Sequence, residues 1–294
     1  MRSADECHNG KKIPNGSMTK VRLIGLKADQ FRHPLDLQAT ATFKQWPGWD
    51  WVVRSLAGSV AEQALYLENI SSGILVGPQQ LPDLHALLLE ACQILDLMPP
   101  QLYVRQNPIP NAYTLAIRGK QPFIVLHTSL IDLLTPPEIQ AVIAHELGHL
   151  KCEHGVYLTL ANMLVLAVGQ LPYWGEVVAE SLKQQLLTWL RCAEFTCDRA
   201  GLLVSQDPTV MISLLMKLTG GSPTLAARLN VDAFLNQARA YRMATDDLST
   251  LWKMMQTAQL SHPLPVLRAS AIDEWANSPA YRQLMKPGHP PSWS

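Results

Sequence analysis

The chain has 294 residues, enough for one large domain or two small ones around a buried core. Apolar residues make up 48% and charged residues 16%, against about 25% charged in an average soluble protein. The 24 basic residues balance the 24 acidic ones, so there is no basic stripe for a nucleic-acid partner, and the low charge points to a buried interface or a membrane surface. Five cysteines (Cys7, Cys92, Cys152, Cys192, Cys197) form an odd set with no CxxC spacing. They read as reduced thiols in a cytosol-like compartment, not as a disulfide framework.

Residues 1–17 are polar, lack the apolar stretch of a secretory signal and are expected to be disordered, with Met18 an alternative start. Residues 18–79 read as an N-terminal extension. Within it, Trp46, Trp49 and Trp51 surround the turn signal Pro47-Gly48. That run reads either as a turn packed on the domain or as an anchor at a membrane interface, where tryptophan favours the headgroup level. Residues 59–69 look helical, and Leu81 to Leu97 carries apolar residues at helical spacing.

The period changes after Pro99-Pro100. Leu102–Val104, Ala112–Ile117 and Pro122–Leu126 read as strands of a small meander. Thr135-Pro136-Pro137-Glu138 then punctuates a helix start, with Thr135 as N-cap, Pro136 in the first turn and Glu138 closing a capping box. Beyond it the chain reads as helix at 155–170, 175–205, 208–219, 224–243, 246–258 and 264–277. The fold class is therefore α+β, mostly helical, with one small sheet before the Thr135 helix. Residues 80–277 form the principal domain and 278–294 a C-terminal tail.

Ala144-His145-Glu146-Leu147-Gly148-His149 on that helix matches the HExxH pattern. Residues four apart lie about 40° apart around a helix, so both imidazoles can face one ion. Glu146 sits beside the pair, within reach of a water. Two imidazoles and one carboxylate with an open fourth position suit zinc, one per chain. A third ligand in the metzincin register would need Gly at 152 and His at 155, which hold Cys152 and Gly155. The later helix offers Glu194 and Asp198, one turn apart on one face: Glu194 to ligate the metal, Asp198 to hold the far nitrogen of a ligating histidine. Cys197 neighbours Asp198 and reads as a small buried apolar residue. Glu153 and His154 read as helix-end polarity.

The order of Asn111-Ala112-Tyr113-Thr114, HExxH at 145–149, ExxxD at 194–198 and Ser261-His262-Pro263 with Arg268 resembles the HtpX-like and CAAX-prenyl-protease-like metallopeptidases. These are gluzincins, and the fuller text is most similar to their cyanobacterial and chloroplast branch. The resemblance spans about residues 80 to 277. It implies a gluzincin-type metallopeptidase domain that hydrolyses peptide bonds within a chain, with His145, His149 and Glu194 on zinc and Glu146 as general base. It further implies that Asn111, Ala112 and Tyr113 bind substrate as an edge strand. His262 would serve as an oxyanion donor, and Arg268 would orient a carboxylate. Asn111 also reads as a turn opener, and Ser-His-Pro as a helix-breaking connection.

Many relatives of this kind cross membranes, but a single span at 155–171 would put Glu194 on the wrong side of the bilayer, and the charged run from Glu176 to Arg191 makes a poor return span. The expectation is a cytoplasmic or peripherally attached enzyme, not secreted, in a cyanobacterial or plastid-type context. Its partner is a protein or peptide substrate, with possible membrane contact. The alternatives are a non-catalytic, metal-stabilised chaperone or interaction module, and an enzyme for lipidated peptides.

Overall fold

The computed structural model describes residues 20–45, 67–68, 70–116, 121–155, 175–246 and 262–286. The tryptophan turn, the polar start, and the helices expected at 155–170 and 246–258 lie outside the described residues, as does nearly all of 59–69.

Nine α-helices and four strands are found among the described residues. Helix α1 spans Pro34–Lys44, followed by strand β1 (Ile74–Leu75) and helix α2 (Pro82–Leu95). Strands β2 (Gln101–Arg105), β3 (Ala112–Leu115) and β4 (Phe123–His127) come next. Helices α3 (Thr128–Leu133), α4 (Pro136–Lys151), α5 (Gly175–Ser205) and α6 (Pro208–Gly220) follow. Helices α7 (Val231–Asp246), α8 (Pro265–Ala276) and α9 (Pro279–Leu284) complete the order. The chain is thus mostly helical with one small sheet ahead of the HExxH helix.

The sheet is not the expected meander. Its order is β1-β2-β4-β3, with β2 and β4 parallel and β3 antiparallel to β4. All five positions of β4 are buried. An uninterrupted apolar run such as Phe123–Leu126 suits a strand covered on both faces and paired on both edges. The 107–111 connection therefore carries the chain past the place β4 will take, and β3 becomes an edge strand among the described residues. One helix also starts later than the sequence implies: a short 3-10 turn at Ala226–Arg228 precedes α7, and Asn230 caps the restart by accepting from the Ala233 N–H at 2.9 Å.

Helix α4 begins as its punctuation dictates. Glu138 reaches back to accept from the Thr135 backbone N–H at 2.7 Å, closing the capping box. The same buried carboxylate accepts from Lys217 Nζ at 2.6 Å and Ser213 Oγ at 2.7 Å on α6, so the start of α4 is bolted to a neighbouring helix. Residues before the first strand join the same core: Leu23, Leu26 and Phe31 are buried in it, and α1 packs on α5.

The tightest joint is between α4 and α5. A methyl group placed on Gly148 would meet Ala200 Cβ at 2.9 Å, Cys197 Cα at 3.1 Å and Cys197 Sγ at 3.3 Å. Gly201 repeats the device, with a methyl there 3.2 Å from the Ala141 carbonyl oxygen on α4 and against Met211. A backbone atom cannot swing aside as a flexible side chain can. Gly148→Ala is therefore expected to lower stability by about 1–3 kcal/mol, as overpacking does. Gly77→Ala, with nothing within 4 Å of the added methyl, should stay within about 0.5 kcal/mol of wild type. Thermal unfolding of both variants checks the contrast; equal melting temperatures would show that the helices part freely.

Candidate metal centre

Close approach of α4 and α5 brings His145, His149, Glu194 and Asp198 together. Glu194 Oε2 lies 3.4 Å from His145 Nε2, and Glu194 Oε1 lies 3.3 Å from His149 Nε2. The two imidazoles stand edge to face, 5.2 Å between centroids. A tetrahedral ion with bonds of about 2.0–2.1 Å separates its ligand atoms by roughly 3.3 Å, which is the spacing found here between nitrogen and carboxylate.

His145 is held from behind. Its Nδ1 donates to Asp198 Oδ1 at 3.1 Å, which leaves Nε2 as the nitrogen facing Glu194 and the one that would ligate an ion on giving up its proton. Asp198 is gripped in turn by Arg268 of α8, with Nε on Oδ2 at 2.8 Å and Nη2 on Oδ1 at 2.6 Å. This two-pronged contact suits the planar guanidinium. Burial alone would raise the Asp198 carboxyl, but Arg268 and His145 hold it below the usual range. Burial likewise works against charge on His145, yet Glu194 and Asp198 together raise its pKa to about 10.

Glu194 is 1% exposed. Burial alone would raise its carboxyl too; the two imidazoles and Arg268 hold it well below the usual range. Its Oε2 nevertheless has no hydrogen-bond partner, although His145 Nε2, His262 Nε2 and Arg268 Nη1 all stand 3.4–3.5 Å away. Leaving a buried charged oxygen unsatisfied costs more than the roughly 1–3 kcal/mol of a neutral group. Arg268 offsets its charge without hydrogen-bonding it, and an ion at bonding distance would satisfy the oxygen, so the residues fit a metal.

Cys197 comes nearer than its sequence neighbours imply. One ligand atom each from His145, His149 and Cys197 lie within 4.8 Å of one another. The sulfur, however, is engaged elsewhere, 3.7 Å from His154 Nδ1. Burial, followed by the nearby Glu194 carboxylate, pushes its thiol well above the ordinary range, and only a thiolate makes a good ligand.

Glu146 is buried between the imidazoles on α4. Its Oε2 accepts from Thr114 Oγ1 of β3 at 2.7 Å, a contact that nothing in the sequence signals, because it needs β3 to lie across α4. The Asn111 carbonyl accepts from the His127 N–H at 3.0 Å, and Ala112 and Tyr113 pair with Leu126 and Val125. These three residues thus extend the outer edge of the sheet beside Glu146. His262, before α8, has about half its side chain exposed and faces Glu194. The reading of His154 as helix-end polarity is corrected: it is 1% exposed and bonded to Asp36 of α1. Glu153 adopts φ 60° just after α4 ends, a left-handed turn ahead of His154.

Residues 78–276 match Peptidase family M48. The chain belongs to peptidase family M48. This M48 chain is 58% identical over 262 residues to Plastoglobule-localized metallopeptidase 48, chloroplastic, of Arabidopsis thaliana, across 89% of the chain and 76% of that protein. It is 29% identical over 170 residues to Protease HtpX homolog 2 of Methanosarcina mazei, across 50% of the chain and 58% of that protein. Against Protease HtpX homolog of Moorella thermoacetica it is 28% identical over 192 residues, 56% and 62% of the two. The solved structure of S. mikatae Ste24p aligns with a TM-score of 0.43 and 18% identity, over 81% of the chain and 61% of that one. The M48 assignment makes the chain a metalloprotease acting on proteins or peptides, and the HtpX and chloroplast resemblance read from motif order holds.

The clamp on His145 makes an expectation. Asp198→Asn should lower metal affinity about 10- to 100-fold, as loss of a partner behind a ligand does. Competition with a chromophoric chelator measures it. Wild-type affinity in the variant would show that Asp198 does not tune the site.

Proposed function

We propose that the chain is a zinc-dependent metalloendopeptidase in which His145, His149 and Glu194 hold one zinc ion and Glu146 is the general base. The observation that carries this reading is the buried, unsatisfied Oε2 of Glu194, on a carboxylate spaced from two Nε2 atoms as a tetrahedral ion requires. When bound, the zinc supplies Lewis acidity at the scissile carbonyl and brings the pKa of a water to about 7.

The chain's own residues supply the rest. Glu146, steadied by Thr114, takes the proton of the attacking water and returns it to the leaving amine. Asn111, Ala112 and Tyr113 offer the backbone edge along which an extended substrate adds as a strand. His262 donates to the oxyanion as charge develops there. Asp198 and Arg268 keep His145 in the metal-binding tautomer.

The alternative, a non-catalytic metal-stabilised module, has no use for a buried carboxylate held ready by a threonine beside the two imidazoles. Among the described residues no helix is long and apolar enough to cross a membrane. The plastoglobule in the name of the Arabidopsis relative supports peripheral attachment to a plastid-type lipid surface as the setting.

Glu146→Gln should keep its metal and lose peptide cleavage by about 10²–10⁴-fold; a variant cleaving casein as wild type does would refute the mechanism. Thr114→Val should reduce kcat about tenfold or more with little change in KM, since a hydrogen bond to a charged group contributes about 1.5–3 kcal/mol. Steady-state kinetics on a fluorogenic peptide separates the two constants.

A further inference from the structure

Behind the metal-facing side of α4 and α5 lies a second buried polar cluster, built around Asp36 of α1. Asp36 is 0% exposed and accepts from Thr196 Oγ1 at 2.7 Å, Thr40 Oγ1 at 2.9 Å and His154 Nε2 at 3.1 Å. Trp189 Nε1 donates to Thr40 Oγ1 at 2.9 Å, closing the group from α5. Asp36 precedes the segment matched by the M48 family, at residues 78–276, so the family match does not account for it.

The carboxylate fixes how His154 is protonated. With Nε2–H given to Asp36, Nδ1 is left as an acceptor, and it faces Cys197 Sγ at 3.7 Å. The ring is wedged edge to face between Trp189, at 5.6 Å, and His149, at 5.4 Å. His149 therefore has an aromatic neighbour on each side, His145 and His154. Cys197 lies close enough to the two α4 imidazoles to compete with Glu194 for an ion, and a soft thiolate would change which metal the site prefers.

We propose that Asp36 and His154 are positioning residues that decide the third ligand: pinned by Asp36, His154 engages the Cys197 sulfur, braces the His149 ring and leaves the metal to Glu194. The inference rests on the reading of His145, His149 and Glu194 as ligands. It gives the segment before the sheet a part in metal selection, although that segment contributes no group to the ion.

The test is the electronic spectrum of the cobalt(II)-loaded full chain, in which a coordinated thiolate adds a sulfur-to-metal charge-transfer band in the near ultraviolet. Wild type should lack the band. His154→Leu fills the same space against Trp189 but accepts no hydrogen bond; it should gain the band, and adding Cys197→Ala should remove it. Asp36→Asn keeps the volume and the threonine contacts, and should show a weaker band, which serves if the leucine variant fails to fold. His154→Asn, which retains an acceptor near the Nδ1 position, should restore much of the wild-type spectrum. Folded, cobalt-loaded His154→Leu or Asp36→Asn protein with a wild-type spectrum would overturn the proposal. A band already present in wild type would instead overturn the assignment of Glu194, so the two failures are told apart.

Discussion

Everything at the centre depends on how closely α4 and α5 approach. With glycine at 148 the second helix comes near enough for Ala200 and Cys197 to lie against the α4 backbone. Glu194 and Asp198, one turn apart on α5, are then delivered to Nε2 and Nδ1 of the same histidine. The spacing of HExxH fixes only where two imidazoles point. The interhelical distance decides whether a carboxylate reaches them, and it is set by the absence of a side chain.

A joint that places charges in a dry interior needs compensation, and two helices distant in sequence provide it. From α8, Arg268 neutralises Asp198 and stands beside Glu194. From α1, Asp36 anchors His154 against His149. Each histidine of the pair is thus steadied from outside its own helix, one through a hydrogen-bonded carboxylate and the other through a ring contact. Removing one partner of a buried charged pair typically costs about 3–5 kcal/mol, because the other charge is left uncompensated. The network therefore couples metal geometry to the integrity of the whole domain.

The legible parts of this arrangement were those written in local code. The Thr135–Glu138 capping box, the HExxH turn and the ExxxD turn each rest on residues within five positions of one another, and helix geometry converts such spacing into direction. Sheet order was not legible, because β2 and β3 read as neighbours until β4 demands two partners. Thr114 against Glu146 and Asp36 against His154 were not legible either. The first depends on an edge strand crossing a helix, the second on a segment more than a hundred residues away. Cys197 shows the limit from the other side: its neighbour Asp198 hinted at an inert position, whereas the fold brings its ligand atom within 4.8 Å of those of His145 and His149 and sets the sulfur 3.7 Å from His154 Nδ1.

The most direct measurement is X-ray absorption at the zinc edge on the metal-loaded protein. The arrangement of His145, His149 and Glu194 calls for a first shell of nitrogen and oxygen alone, at about 2.0–2.2 Å. A sulfur scatterer at about 2.3 Å would contradict it, putting Cys197 on the metal.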